Sequence, residues 1–192
     1  MSVFVAWMPD EDALDALRAL CDAVDGALAP GLRPKWRKRE QFHMTLRYLG
    51  EDAPADLAPL SAALAAVAAR HARIALAFDR TERWKRDELL VARTAPSAPL
   101  DALFADIERA VCACGFGAQP PQKTPHITLA YAPRGGRIAA EADAAARAAL
   151  PFAATLGRIA VASTVRGGYD MPAWWPLDDR ADAAVDGAAL PR

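Results

Sequence analysis

The chain is short of cysteine, histidine, aromatic residues and net charge, and each shortage narrows what it can be. Its three cysteines, Cys21, Cys112 and Cys114, are odd in number and share no repeated spacing. They make no disulfide framework, and no further ligands lie near Cys112 and Cys114 to complete a zinc site. We read them as reduced thiols of a cytoplasmic protein. No apolar run reaches about 18 residues and no basic leader precedes a short apolar stretch, so neither membrane spanning nor export by a standard signal is expected. The formal charge of -1 and pI near 6.3 exclude a uniformly basic nucleic-acid coat, while leaving room for a local basic cleft. Only 7% of residues are aromatic, so the core has to come from aliphatic faces. No glycine-rich phosphate loop and no acidic cluster for magnesium are found, Gly135-Gly136 being a turn. The expected chemistry therefore needs no nucleoside triphosphate, metal or other cofactor.

What is present is a globular composition: 192 residues, 53% hydrophobic and 24% charged, enough for one large domain or two packed lobes. A short apolar run at 3–7 is closed by Pro9. Asp10 or Asp12 then caps a helix with Leu14, Leu17, Leu20 and Val24 at helical spacing. A break at 26–34 leads to a strand at 42–49. A helix at roughly 54–70 precedes a strand at 73–78, a charged stretch, and a strand at 88–93. The segment Pro96-Ser97-Ala98-Pro99 opens a helix to about Cys114, stopped by Gly115 and Gly117; a strand at 126–131, an alanine-rich helix at 139–149 and one or two strands over 152–165 follow. The order strand, helix, loop, histidine strand occurs twice, with about 40 residues from first strand to histidine in each half. That duplication predicts two pseudo-symmetric α+β lobes facing each other, not a doubly wound sheet, and the tail at 178–192 is acidic and alanine-rich.

Two of the three histidines open the same tetrapeptide, His43-Met44-Thr45-Leu46 and His126-Ile127-Thr128-Leu129. With 7 threonines and 20 leucines in the chain, chance alone would give such a pair roughly 4 times in 100,000. In a strand, residues two apart share a face, so each segment aims an imidazole and a hydroxyl one way and two apolar side chains the other. Facing each other across a cleft, the two imidazoles can act as acid and base near neutral pH, and the hydroxyls can hold phosphate oxygens. His71, between Arg70 and Arg73, reads as a solvated surface residue, and Trp174 and Trp175 as a core plug.

These motifs resemble those of the 2H phosphoesterases, and among them the RNA 2′,3′-cyclic phosphodiesterases, long labelled 2′-5′ RNA ligases. The resemblance covers about residues 2–177. It rests on Phe42-His43-Met44-Thr45-Leu46-Arg47-Tyr48-Leu49-Gly50, on the second His126-Ile127-Thr128-Leu129, and on Ser163-Thr164-Val165-Arg166-Gly167-Gly168-Tyr169. It implies a bilobal α+β fold over residues 1–177 with two antiparallel sheets flanking a central cleft and helices on the outside, catalytic His43 and His126, phosphate-binding Thr45 and Thr128, and hydrolysis of RNA 2′,3′-cyclic phosphate ends to 2′-phosphomonoesters, with the reverse 2′-5′ ligation also implied. Bacterial relatives often carry arginine two residues after the second motif's leucine. This chain has Tyr131, so a phosphate-contacting cation is missing there, and strict alternation turns Tyr131 off the His126 face unless the strand bends.

Basic residues with a tryptophan among them stand beside the first motif: Lys35, Trp36, Arg37 and Arg39 within Arg33-Pro34-Lys35-Trp36-Arg37-Lys38-Arg39. Lys123 precedes the second motif, Arg166 lies in the closing one, and four more basic residues surround Trp84. Charge for phosphates and a face for bases are what a single-stranded RNA end requires. The expected partner is thus RNA ending in a 2′,3′-cyclic phosphate, bound by a monomer. A small cyclic phosphate, such as an ADP-ribose cyclic phosphate, and a non-catalytic RNA-end-binding module are the alternatives. His126 as water activator and His43 as acid is the first assignment, with the reverse left open by the symmetry.

Overall fold

The computed structural model describes residues 2–28, 32–51, 57–86, 88–120, 124–133, 137–138 and 140–179. In chain order the elements are β1 (Val3–Trp7), α1 (Glu11–Ala27), β2 (Lys35–Trp36), β3 (Met44–Gly50), α2 (Ala58–Ala68), β4 (Ile74–Trp84), β5 (Leu89–Thr94), α3 (Ala98–Ala113), β6 (His126–Tyr131), α4 (Glu141–Ala146), β7 (Phe152–Leu156), β8 (Arg158–Val165) and β9 (Gly168–Pro176). Asp10 is the residue that caps α1, its carboxylate accepting the Ala13 N–H at 3.0 Å. Leu17, Leu20, Cys21 and Val24 then form one buried stripe along that helix.

The strands make two antiparallel sheets, ordered β3-β1-β8-β9 and β2-β6-β5-β4-β7. The expected duplication is visible in that order. Unit β1-α1-β3 repeats as β5-α3-β6, and in each the first strand lies between its histidine strand and a strand from elsewhere in the chain, β8 or β4. The histidine strands therefore occupy the inner borders, β3 at an edge and β6 covered only by two-residue β2, and they contact each other across the seam. Helices pack in pairs, α1 on α4 and α2 on α3. One hydrophobic core takes residues from both sheets and all four helices, so neither half could bury its apolar face alone.

Besides the unexpected two-residue β2, three elements differ from the sequence expectation. β4 continues through the charged stretch to Trp84 because Arg80, Glu82 and Trp84 alternate with Thr81 and Arg83, opposite the paired residues of β5. The helix expected over 139–149 is short, continuing past α4 only as a 3-10 turn, Arg147–Ala149. β9 has no counterpart in the sequence expectation, since its pattern is only partly buried; it returns from β8 through Arg166-Gly167, with Gly167 at φ 93°. The expected tail lies outside the described residues from 180 onward, as does the expected turn at Gly135-Gly136.

Arg47, the residue after the first tetrapeptide, ties this frame together. It is only 5% exposed and donates to the Glu108 carboxylate of α3, the Tyr48 carbonyl and the Gly117 carbonyl. Removing Glu108 would strand a buried cation. Glu108→Ala is expected to destabilise the protein by about 3 kcal/mol, the low end for breaking a buried pair, whereas replacing both partners by apolar residues recovers most of it. Urea unfolding of the single and double variants checks this; equal losses would show that the cost does not come from a stranded cation.

Candidate active site

Burial along the two histidine strands follows the expected period of two. Phe42, Met44 and Leu46 are buried while His43 and Thr45 are half-buried; Pro125, Ile127 and Leu129 are buried while His126 and Thr128 are half-buried. Both His/Thr pairs thus emerge on the side away from the core, and His126 is close enough for its charge to act on His43. Among the described residues, neither threonine hydroxyl has a hydrogen-bond partner.

Each imidazole is held in the same way. His43 Nδ1 lies 3.0 Å from the Gln41 carbonyl oxygen and His126 Nδ1 lies 2.8 Å from that of Thr124. A carbonyl only accepts, so both Nδ1 atoms carry hydrogen, and neither Nε2 has a hydrogen-bond partner among the described residues. A neutral ring then offers Nε2 as a base, and a protonated ring offers it as an acid. Among the described residues no carboxylate touches either ring, so burial dominates: it pushes His43 down to about 4 and holds His126 below its ordinary value. At neutral pH the free site contains two neutral imidazoles, not the charged-and-neutral pair expected from ordinary histidine values.

The walls differ. His43 lies between Phe4, at 5.0 Å between ring centroids, and Tyr169 of β9, at 4.7 Å edge-on. His126 stands 4.4 Å from Trp84, whose indole N–H donates to Glu82 at 2.8 Å. Glu82 also receives Arg93 at 2.7 Å, and Arg93 Nε donates to the Pro125 carbonyl at 3.1 Å, which fixes the chain just before His126. Glu82, Arg93, Phe4 and Tyr169 carry no role in the sequence reading. Tyr169 stands within the closing motif, and the alternation Arg80, Glu82, Trp84 is the sequence signal for the other wall. A cavity of about 830 Å³ opens beside Thr45, Arg93 and Pro125 and runs to Phe104 and Glu108 on α3, within the usual range of small-molecule sites.

The basic residues separate into distinct roles. Trp36 turns to the core and donates its indole N–H to Asp25 of α1 at 2.7 Å; Arg39 pairs with Glu11 and Asp15, both at 2.5 Å. These two hold the segment against α1. Lys35 is exposed beside Tyr131, and Arg166 is exposed in the β8–β9 turn; Lys123 lies outside the described residues. Arg37 enters the cleft, its Nη2 donating to the Tyr169 hydroxyl and its Cζ lying 5.8 Å from the Tyr131 ring centroid.

At Tyr131 the strand departs from strict alternation, the exception left open in the sequence. The register of β6 against β5 slips between Leu90 and Val91, so that Thr128 pairs with Val91 and Tyr131 with Leu89. That irregularity passes over Leu129 and returns Tyr131 to the face of Thr128. His71 is not a solvated residue either: Nε2 bonds Asp106 at 2.9 Å, joining α2 to α3. Of the two C-terminal tryptophans, Trp175 packs on the core while Trp174 is 56% exposed beneath Arg158.

The family model described as the 2'-5' RNA ligase superfamily matches residues 9–168. The chain belongs to that superfamily. It is 35% identical over 104 residues to the RNA 2',3'-cyclic phosphodiesterase of Geobacillus stearothermophilus, a stretch that covers 50% of this chain and 31% of the relative. The fold is that of TT0787 from Thermus thermophilus, with a TM-score of 0.71, 19% identity and coverage of 94% and 100% of the two chains. It is likewise that of E. coli LigT in its apo form, with a TM-score of 0.69, 18% identity and coverage of 92% and 96%.

The low proton affinity of His43 makes stability pH-dependent. Between pH 6.5 and 4 the unfolded chain binds a proton that the folded site refuses, so stability falls as pH drops through that window. The loss reaches roughly 3 kcal/mol at its lower end, and the contribution is complete above pH 6.5, where both forms are neutral. His43→Gln is expected to flatten this dependence, with His126 contributing the remainder. Urea midpoints at about pH 7 and 4.5 measure it, and parallel losses in the variant and the parent protein would refute the assignment.

Proposed function

We propose that this protein is a cyclic phosphodiesterase that opens 2′,3′-cyclic phosphate ends of RNA. The observation that carries the reading is the pair of oriented imidazoles, both with Nε2 free, set beside two unpartnered threonine hydroxyls. Water oxygen attacks the cyclic phosphorus while one Nε2 takes its proton. The P–O3′ bond breaks, the other Nε2 gives its proton to the departing O3′, and the product is a 2′-phosphomonoester. Thr45 and Thr128 donate to the non-bridging oxygens. The superfamily and the Geobacillus relative's name support this reaction class, as does the phosphate- and 3'-AMP-bound state of the structurally similar LigT. Reverse 2′-5′ ligation uses the same groups in the opposite order.

We assign the proton to His126 and the base to His43. Burial depresses His43 furthest and Arg37 adds to it, whereas at His126 Glu82 offsets part of the opposing effect of Arg93. This reverses the first assignment made from the sequence. The substrate's anionic phosphate favours imidazolium, so the alkaline limb of kcat is expected at higher pH than that of kcat/KM. An aryl phosphodiester, whose leaving group needs no proton, should restore much more activity to His126→Ala than to His43→Ala. Preferential rescue of His43→Ala would restore the original order.

Single-turnover cleavage of a 2′,3′-cyclic-phosphate oligonucleotide in EDTA tests the reading as a whole. Turnover is expected to persist in EDTA and to yield the 2′-phosphate. His43→Ala and His126→Ala should each lose about 100- to 10,000-fold, with the double variant losing little more because the pair acts as a unit. Thr45→Ala and Thr128→Ala should cost roughly 1.5–3 kcal/mol of transition-state stabilisation each. A folded His126→Ala protein retaining more than about a tenth of the parent rate would overturn the two-histidine mechanism.

One observation favours a small cyclic phosphate as substrate instead of an RNA end. Trp36 and Arg39, two of the residues expected to grip RNA, are committed to α1. An RNA substrate requires Lys35 and Arg166 to contribute phosphate contacts, which makes KM for an oligonucleotide rise with salt and on their removal. Equal KM responses for oligonucleotide and cyclic mononucleotide would select the small substrate.

A further inference from the structure

Among the described residues around the cleft, most arginines are neutralised by the protein itself. Arg93 is paired with Glu82, Arg47 with Glu108, Arg80 with Glu82 and Asp79, and Arg39 with Glu11 and Asp15. Arg37 has no carboxylate partner among the described residues. Its backbone N–H donates to the Leu129 carbonyl at 2.8 Å, which seats it on the strand of the second tetrapeptide. Its side chain then crosses the seam to the Tyr169 hydroxyl on the other sheet, beside His43. Nε is buried and makes no hydrogen bond. A half-buried guanidinium without a counter-ion is costly. The described groups shown beside it are neutral: the Tyr169 hydroxyl, the Tyr131 ring and the His43 imidazole.

We propose that Arg37 is the anion-binding residue of this cleft, its half-buried guanidinium, which has no carboxylate partner among the described residues, taking a non-bridging phosphate oxygen. The proposal rests on the cyclic-phosphate reading for its substrate and deepens it. Tyr169 holds Nη2 and Tyr131 supports the guanidinium by a cation–π contact, so the fork is oriented before the ligand arrives. Because the backbone of Arg37 belongs to one sheet and its side-chain partner to the other, a bound phosphate is gripped where both histidine strands reach it. The groups facing His43 are Arg37 from the β2 end, His126 from β6, Tyr169 from β9 and the uncharged Phe4 from β1. Of these, only Arg37 is charged in the free protein at neutral pH. It opposes protonation of His43 until an anion cancels it, which couples phosphate binding to the ability of His43 to accept a proton.

Inorganic phosphate binding, followed by calorimetry on the full chain, tests this directly, with NMR titration of the His43 ring alongside. Arg37→Met is expected to weaken phosphate binding about 10- to 100-fold, the worth of a hydrogen bond to a charged group, and to move the His43 titration up toward its ordinary value. Arg37→Lys keeps the charge and loses the fork, so His43 should stay low while phosphate binding remains weakened. Tyr169→Phe should weaken binding only a few-fold. Unchanged phosphate affinity in Arg37→Met overturns the proposal, as does a loss in Tyr169→Phe equal to that in Arg37→Met, which would make Arg37 a strut between the sheets. Failure of the parent protein to open cyclic phosphates, with phosphate binding still dependent on Arg37, would overturn the substrate reading while supporting this one.

Discussion

Everything at the cleft depends on a backbone constraint: a strand that must bury alternate residues in a shared core has its other face free for chemistry. Met44 and Leu46, and Ile127 and Leu129, are almost fully buried, which leaves each imidazole and hydroxyl no direction but the cleft. Because the strands lie at the inner borders of two sheets with a common core, shifting either by one residue would bury a histidine and expose a leucine. Core packing and the orientation of the two His/Thr pairs are therefore the same requirement, and the register of the site is as stable as the fold.

Orientation within each imidazole comes from the chain itself. The carbonyl two residues back binds Nδ1 in both halves, so the tautomer is set locally without a carboxylate. The consequence is electrostatic. With no carboxylate against either ring among the described residues, burial keeps both imidazoles neutral until an anion enters. A site of this kind waits for its substrate's charge to complete it, which fits a phosphate better than a neutral ligand.

Although the two halves repeat in topology, they are unequal in charge. On the His126 side Glu82 neutralises Arg93 and anchors Trp84, making a closed network. On the His43 side Tyr169 and Phe4 make an aromatic wall, and Arg37 stands nearby without a carboxylate partner among the described residues. A duplicated scaffold thus carries an asymmetric site, which is what assigning acid and base to two identical side chains requires.

The sequence by itself determined the two histidine strands, their facing polar pairs, the duplicated strand–helix–strand units and the α+β class, because periodicity and capping are local properties that any window of the chain displays. It also named Arg37 among its basic neighbours, without separating it from Trp36 and Arg39. Only the tertiary structure decided that separation: α1 supplies Asp25, Glu11 and Asp15 to Trp36 and Arg39 and nothing to Arg37. It likewise decided that Tyr131 returns to the cleft, through a slip in strand pairing, and that β9 brings Tyr169 to His43. Counter-ions, register slips and edge-strand placement are set by residues distant in the chain, and no local pattern records which distant residue a side chain will meet.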